Sequence, residues 1–277
     1  MSKNGVRGGI DLGGTKIQAI VIDAHNTVLG ESRRPTPEDN GPQGVADAMA
    51  EVLNAAASAA GVETGALKGV GVGAEAELGA GRERDSILGV FWGTGVGGGI
   101  VLNGELWHGR GSAGEIGHMV VKRGGARCPC GNRGCMEAYA GRAPMEAEAR
   151  RRHEKGEKTD LFKLMKEHDR PRLTSGIWER ALDHGDKMAE ELIDRAIKAL
   201  GAGIGSAVNL IDPDVVILGG GLGVRLGDPY RKRLEHAMLP HVFADTRPPP
   251  VLLAQLGDLG GAIGAALLAS EAEAAYQ

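Results

Sequence analysis

The sequence predicts an α/β fold with two related lobes, on three observations. Strand-like and helix-like segments follow one another as strands, helix, strand, then strands, helix, strand, helix, strand, helix. Each half opens with a hairpin-like unit that carries a glycine turn. The 46 glycines also cluster where strand-like runs end, as GG at 13–14, GTGVGGG at 93–99, GGG at 219–221 and GG at 260–261. Glycine in such places permits positive φ and close approach of a ligand to the backbone.

Taken in order, GGIDLG, KIQAIVIDA and TVLGESRRPT read as a three-stranded meander. GPQGVADAMAEVLNAAASAAG places Val45, Met49, Val52, Leu53 and Ala56 at helical spacing. LKGVGVGA reads as a fourth strand, and EAELGAGRERDS follows it almost without a connection. DSILGVFWGTGVGGGIVLNGELWHG reads as strand, glycine turn, strand, an Asn103-Gly104 hairpin, and strand. A loop rich in Gly, Cys and charge runs to about residue 136, and GCMEAYAGRAPMEAEARRRHEKG is helical in pieces. Residues 153–172 are the most charged and least periodic, which predicts a surface segment. LTSGIWERALDHGD offers Thr174 or Ser175 as an N-cap. A long helix (DKMAEELIDRAIKALGAGIGSAVNLI), a strand ending in glycines (DPDVVILGGG), a helix (DPYRKRLEHAMLPHV), a strand (PPPVLLAQLG) and a closing helix (GDLGGAIGAALLASEAEAAY) complete the chain.

The 277 residues suffice to bury a sizeable core. A net charge of −4 argues against nonspecific nucleic-acid binding, which needs a basic surface. The run RRHEKGEK at 151–158 is broken by acids and reads as a solvated face. MSKNGVRGG has no apolar core and is not a signal peptide. No apolar run is long enough to span a bilayer. The expectation is a cytoplasmic protein with no membrane and no nucleic-acid partner.

GTGVGGG contains GxGxxG (Gly93, Gly95, Gly98), but a strand and hairpin follow it, where a dinucleotide site needs a helix. No GxxxxGK[ST] is present. What the stretch does supply is a glycine turn between antiparallel strands, with Thr94 offering a hydroxyl. DLGGTK at 11–16 repeats the form with Gly13, Gly14 and Thr15. Two such hairpins facing each other are suited to hold a polyphosphate by backbone N–H groups. Asp11 is suited to hold a magnesium-bound water. Lys16 either opposes phosphate charge or is an exposed strand lysine.

All three cysteines lie in one stretch with the spacing His118-x9-Cys128-x-Cys130-x4-Cys135. Reduced thiols are expected in a cytosolic chain. Three thiolates and one imidazole make a closed, tetrahedral, structural zinc site. Gly124, Gly125, Gly131 and Gly134 let so short a loop wrap an ion. Glu115 and Glu137 flank the set, and carboxylates with a histidine suit a hydroxyl-rich ligand. Glu115 as a turn residue and Glu137 as a first-turn helix acid are the alternatives.

These residues resemble the ROK family of bacterial sugar kinases and repressors over nearly the whole chain. DLGGTK (11–16) looks like its first phosphate motif, GTGVGGGIVLNGELWHGRGSAGEIGH (93–118) like its signature stretch and CPCGNRGCME (128–137) like its zinc loop. LGGGL (218–222) and LGDLGGAIGAALLA (256–269) resemble its adenosine-side turn and closing helix. The resemblance implies an actin-like, hexokinase-like (ribonuclease H-like) two-lobed α/β fold. The small lobe would take residues 1–82 and 262–277, and the large lobe 83–261. It implies MgATP as phosphoryl donor, a hexose as acceptor with glucokinase-like transfer to the 6-hydroxyl, and a homodimer. By position, Glu115, His118 and Glu137 would bind sugar hydroxyls, with His118 also ligating zinc. Gly93, Thr94 and Gly95 would meet the phosphates, and Gly219, Gly220 and Gly221 would lie by the nucleoside.

The chain departs from the family at one place. After a strand like GVGVGA, family members continue through a sugar-contacting segment to another strand and an Asn-Asp motif, whose aspartate is the general base. Here GVGVGA meets EAELGAGR directly, and no Asn-Asp pair occurs anywhere. No catalytic base carries over: Glu75, Glu77 and Asp85 match other places in the family pattern. The small lobe is expected to lack a strand and a helix, exposing part of its sheet edge and core. A kinase with impaired transfer and a non-catalytic sugar- or nucleotide-binding pseudokinase are the competing readings. A repressor of this family carries a helix-turn-helix before the kinase-like part, and only ten residues precede Asp11.

Overall fold

The computed structural model describes residues 6–12, 16–23, 25, 27–37, 41–62, 70–72, 80–81, 84–107, 109–110, 112–243 and 247–255. The chain divides into two compact units, Met1–Arg82 with Gln255–Gln277, and Glu83–Ala254. The closing helix expected near the C-terminus, with the family-like stretch at 256–269, lies outside the described residues. None of the described helices is long and apolar enough to cross a membrane.

In the first unit, β1 (Arg7–Leu12), β2 (Lys16–Ile22) and β3 (Val28–Pro35) form the expected meander, and β4 (Val70–Val72) adds to it. The order is β3-β2-β1-β4, antiparallel except for the parallel β1/β4 pair. α1 (Gly41–Ala59) covers one face, because Ala48, Val52, Leu53, Ala56 and Ala57 fall on one stripe and meet Ile10, Ile17, Ala19 and Val21. Gly30 lets β3 approach the helix: a Cβ there would lie 2.4 Å from the Ala56 carbonyl oxygen. Gln18, Ile20 and Ile22 on the other face of β2 are buried too. The exposure of core expected beside β4 falls on residues whose burial lies outside the described ones. β2 alternates sides, and both of its sides are covered. Among the described residues the sheet does end at β4.

In the second unit, β5 (Ile87–Trp92), β6 (Val96–Leu102), β7 (Glu105–Leu106), β8 (Val215–Gly219) and β9 (Val251–Leu253) form a sheet of order β7-β6-β5-β8-β9. β5 pairs antiparallel with β6 and parallel with β8, which pairs parallel with β9. Asn103 (φ 56°) and Gly104 (φ 77°) make the expected hairpin turn between β6 and β7. Between β7 and β8 the chain adds a loop, then α2 (Glu137–Ala140), α3 (Arg142–Glu154), α4 (Leu161–Glu167), α5 (Ser175–Asp183) and α6 (Lys187–Ile211). α7 (Gly220–Met238) joins β8 to β9.

α6 starts where the Asp186 carboxylate accepts the Ala189 N–H at 2.8 Å, and ends at Asp212 with φ 45°. Its apolar residues recur at helical spacing, and Leu192, Ile193, Ala196, Leu200 and Ile204 are at most 1% exposed. The small residues of its second half serve close packing. A Cβ on Gly201 would come within 2.5 Å of the Ala237 carbonyl oxygen, so no larger residue fits without moving α7.

Two local readings are corrected, and the N-cap reading holds for position without a side-chain bond. The charged stretch 153–172 contains α4, whose Leu161 and Leu164 are buried in the main core; the charge on its other faces hides a two-residue apolar contact. Thr174 occupies the N-cap of α5, but its hydroxyl caps nothing, and Ser175 gives its oxygen to Arg142 instead. The glycines after β8 do not form a free turn. Gly220 and Gly221 already begin α7, which is broken further on at Gly227 (φ 67°), just before Pro229.

Candidate functional site

The turn between β5 and β6 is Gly93-Thr94-Gly95, closed by the Gly93 N–H on the Gly95 carbonyl at 3.0 Å. The backbone N–H groups of Arg142 and Ala143, at the start of α3, donate to the carbonyls of Gly93 (3.1 Å) and Thr94 (2.9 Å). The parallel β5/β8 pairing sets Phe91 beside Gly219, which brings the start of α7 to the same place. A Cβ on Gly93 would lie 4.0 Å from the Gly221 nitrogen, and one on Gly220 would lie 2.6 Å from the Trp92 carbonyl oxygen. The two glycine clusters singled out in this half of the sequence therefore meet.

The loop before α2 gathers His118, Cys128, Cys130 and Cys135 so that their ligating atoms all lie within 4.8 Å of one another. Cys130 Sγ and Cys135 Sγ are 3.8 Å apart, and Cys128 Sγ is 3.7 Å from His118 Nδ1. Tetrahedral zinc with Zn–S bonds of about 2.3 Å sets its sulfurs about 3.8 Å apart. The donor set and its spacing fit zinc. Gly124 (φ 68°), Gly131 (φ 95°) and Gly134 (φ 85°) supply left-handed turns, and a Cβ on Gly134 would lie 1.8 Å from the Lys122 carbonyl oxygen. Gly125 has another reason: a Cβ there would lie 1.9 Å from the Tyr139 hydroxyl, which accepts the Ala126 N–H at 2.7 Å. Burial pushes the Cys128 thiol up to about 12 and raises Cys135, whereas the Asn132 backbone N–H lowers Cys130. A cation among them reverses that cost by favouring thiolate.

Glu137 ties this loop to the glycine turn. One carboxylate oxygen accepts the Val96 N–H at 3.0 Å, and the other lies 3.7 Å from Cys128 Sγ. The same carboxylate explains Gly95, where a Cβ would be 2.3 Å from Glu137 Oε2. His118 turns Nδ1 to the thiols and Nε2 to Glu115, whose Oε2 is 3.9 Å away. Glu115 and Glu137 thus both lie around His118 and the cysteine cluster.

In the first unit, Asp11 stands opposite Gln18 in register, and Lys16 Nζ donates to Gln18 Oε1 at 3.0 Å. Lys16 is half-buried, so it is not a freely solvated lysine. Gly13, Gly14 and Thr15 lie outside the described residues, as do Glu75 and Glu77. Asp85 is exposed and serves the β6–β7 hairpin, its carbonyl accepting the Gly104 N–H at 2.8 Å. Arg142 and Ser175 escaped sequence reasoning. Nothing local marks Arg142, and Ser175 stood out only as an N-cap candidate; the fold brings Arg142 to both Thr94 and Ser175. A cavity of about 400 Å³ between α6 and α7, lined by Asp194, Lys198, Arg233 and His236 among others, includes none of these groups.

The family model described as the ROK family matches residues 7–74 and 61–272. This chain belongs to the ROK family. A glucokinase of Halalkalibacterium halodurans is 34% identical over 206 residues, covering 70% of this chain and 59% of that relative, so the chain spans about three fifths of its length. A glucokinase of Streptomyces coelicolor is 28% identical over 317 residues, covering 95% of this chain and 97% of the relative. The crystal structure of a ROK family glucokinase from Streptomyces griseus in complex with glucose and AMPPNP matches with a TM-score of 0.81 at 26% identity, covering 96% of this chain and 100% of that one. Repressors of the family match shorter parts. The fold is the actin-like, hexokinase-like α/β fold of the ROK hexokinases.

The comparisons also bear on the junction after β4. The ROK model matches in two stretches whose ends overlap at 61–74, immediately before EAELGAGR. The alignment with the Streptomyces coelicolor relative runs over 317 residues, more than the 277 of this chain, so that relative carries residues with no counterpart here.

Proposed function

We propose that this chain is a ROK-type sugar kinase of the glucokinase kind, taking the γ-phosphoryl of MgATP to a hexose 6-hydroxyl, with the transfer step slowed by the absence of a general base. The observation that carries the reading is Glu137. This one carboxylate joins the Cys3His loop to the Gly93–Gly95 turn, so a hydroxyl-binding cluster and a phosphate-ready backbone turn share a single rigid element. The glucokinases among the relatives support the same activity.

In this reading Glu115, His118 and Glu137 accept hydrogens from the sugar hydroxyls. Gly93, Thr94 and Gly95 hold the donor's phosphates, and Gly219, Gly220 and Gly221 border its nucleoside. Asp11 orients a magnesium-bound water, the Gly13-Gly14-Thr15 turn offers backbone N–H groups to phosphate, and Lys16 opposes phosphate charge. A zinc ion would be held by His118, Cys128, Cys130 and Cys135. Four protein ligands leave it no open position, so its role is to brace the loop that carries Glu137. Phosphoryl transfer depends mainly on positioning and charge stabilisation, which these groups provide. The sequence has no Asn-Asp pair to supply the family's general-base aspartate, and in this reading that loss costs about 10²–10⁴-fold. We assign it to the cytoplasm as a homodimer, without a nucleic-acid or membrane partner.

The test is an ADP-release assay with magnesium and ATP over glucose, mannose and N-acetylated hexosamines. Slow but sugar-dependent turnover is expected, and turnover that ignores the sugar sinks the proposal. A second reading, a pseudokinase, is favoured by the absent Asn-Asp pair. It predicts sugar binding by calorimetry with no product at all.

A further inference from the structure

The three cysteines of the loop before α2 are not equivalent. Cys130 is exposed, whereas Cys128 and Cys135 are at most 1% exposed. Cys128 Sγ faces inward, 3.7 Å from His118 Nδ1 and 3.7 Å from a Glu137 carboxylate oxygen. Cys130 Sγ stands 3.8 Å from Cys135 Sγ. A Cys128–Cys130 link would close a ring across Pro129 alone, whose fixed φ opposes it. A Cys130–Cys135 link spans four residues, a stretch that Gly131 (φ 95°) and Gly134 (φ 85°) already bend back on itself. One thiol is thus open to a small oxidant from solvent, and a second, shielded sulfur stands behind it. An accessible thiol beside a resolving one is the form that an oxidant-sensing pair takes.

We propose that Cys130 is a peroxide-modification site and that Cys135 resolves it into a disulfide, so that oxidation releases zinc and unlocks Glu137. The Cys130 thiolate attacks one oxygen of hydrogen peroxide; the O–O bond breaks and hydroxide leaves, giving a sulfenic acid. The Cys135 thiolate attacks that sulfur; the S–O bond breaks and a second hydroxide leaves. Two electrons pass from the sulfurs to the peroxide, and two protons from solvent turn both hydroxides into water. Of the four residues that would hold zinc, only His118 and Cys128 then remain as ligands, half of a closed set. The consequence for the site follows from the chain. Cys135 stands two residues before Glu137, its carbonyl accepts the Ala138 N–H at 3.1 Å, and Val120 bridges to it. A shift of Cys135 therefore moves the start of α2 and the carboxylate that holds the Val96 N–H. The effect on sugar rests on the reading of Glu137 as a hydroxyl-binding group; the modification site does not.

The experiment titrates the zinc-loaded full chain with hydrogen peroxide. Released zinc is followed with a colorimetric chelator, free thiols are counted, and the link is mapped by mass spectrometry of unreduced peptides. The expected result is two thiols lost for each zinc released, a Cys130–Cys135 disulfide, a free Cys128, and zinc taken up again after dithiothreitol. Cys130→Ala is expected to slow peroxide-driven zinc loss about tenfold or more, because the remaining thiols are shielded. Calorimetry with glucose is expected to show about tenfold weaker binding to the oxidised chain, the worth of one hydrogen bond to a charged group, with recovery on reduction. The proposal is overturned if the link joins Cys128 or two chains, if zinc leaves while all three thiols stay free, or if the Cys130–Cys135 link forms and zinc stays. A link that forms and expels zinc with glucose binding unchanged rejects the unlocking of Glu137. Should Cys130→Ala hold no zinc, the wild-type map decides by itself. If the purified wild type carries no zinc, the metal reading fails, and the map still upholds or rejects the pair. If the reduced chain binds no glucose, the sugar reading of Glu137 fails, and zinc release with the map decides the modification site.

Discussion

The two sheets of this protein follow one plan and carry it to different lengths. In the first unit the order is β3-β2-β1-β4; in the second it is β7-β6-β5-β8-β9. In each, an antiparallel meander is extended by a parallel strand on the far side of its first strand. The second unit continues past that strand through α7 to β9, but among the described residues the first unit ends at three-residue β4. The stretch that leads into and through β4, 61–74, is also where the two ROK matches overlap. The comparison teaches that the second unit can keep its glycine turn and cysteine loop intact whatever befell the first. Among the described residues, the bonds cited for that turn and that loop lie within Glu83–Ala254.

The largest effect should come from completing the shorter sheet. Inserting a ROK-family segment with its Asn-Asp motif between Ala74 and Glu75 is expected to raise sugar-dependent ADP release by about 10²–10⁴-fold. An insert that folds, as judged by melting, and leaves turnover unchanged would remove the missing base as the explanation.

A smaller effect separates two left-handed glycines, one in each unit. Gly134→Ala meets both a φ of +85° and the Lys122 carbonyl oxygen at 1.8 Å. It should cost about 3 kcal/mol or more and release zinc, which in the wild type should be near one ion per chain. Gly61→Ala, at the end of α1 with φ +68° and nothing within 4 Å, should cost only about 1 kcal/mol and leave zinc in place. Denaturant melts and metal analysis check both. Equal costs would mean that the loop yields and is not braced as described.

The smallest effect concerns the parallel pair β5/β8. Asp214 accepts the Ser86 N–H at 2.9 Å and the Ser86 hydroxyl at 3.0 Å, and these bonds hold its pKa below the ordinary 3.8. A depressed carboxylate contributes stability that is fully present above its unfolded value and is lost as pH falls through the folded one. Asp214→Ala should therefore melt slightly lower than the wild type at pH 7, with the difference closing below pH 3.8. A difference that persists in strong acid would show the carboxylate charge to be irrelevant.

Much of this was legible in the residues. Strand alternation, the stripe of α1 and the hairpin at Asn103-Gly104 depend on neighbours one to four positions apart, and the His118-x9-Cys128-x-Cys130-x4-Cys135 spacing on neighbours at most ten apart. Such signals survive in one dimension because the same local geometry that writes them also forms the element. The errors came where charge masked a short buried contact, as at Leu161 and Leu164, or where a side chain found a better partner than its own helix, as at Ser175.

By itself the sequence determined the class of fold, the order of the described strands and the four residues, His118, Cys128, Cys130 and Cys135, that the structure gathers into one cluster. Tertiary structure alone decided that Glu137 reaches Val96 across 41 residues, that Arg142 reaches Thr94 across 48, and that it reaches Ser175 across 33. Those contacts arise from the pairing of β5 with β6 and β8 and from the packing of α2, α3 and α5 around them. No local pattern encodes them, because their partners are chosen by which elements the core brings together.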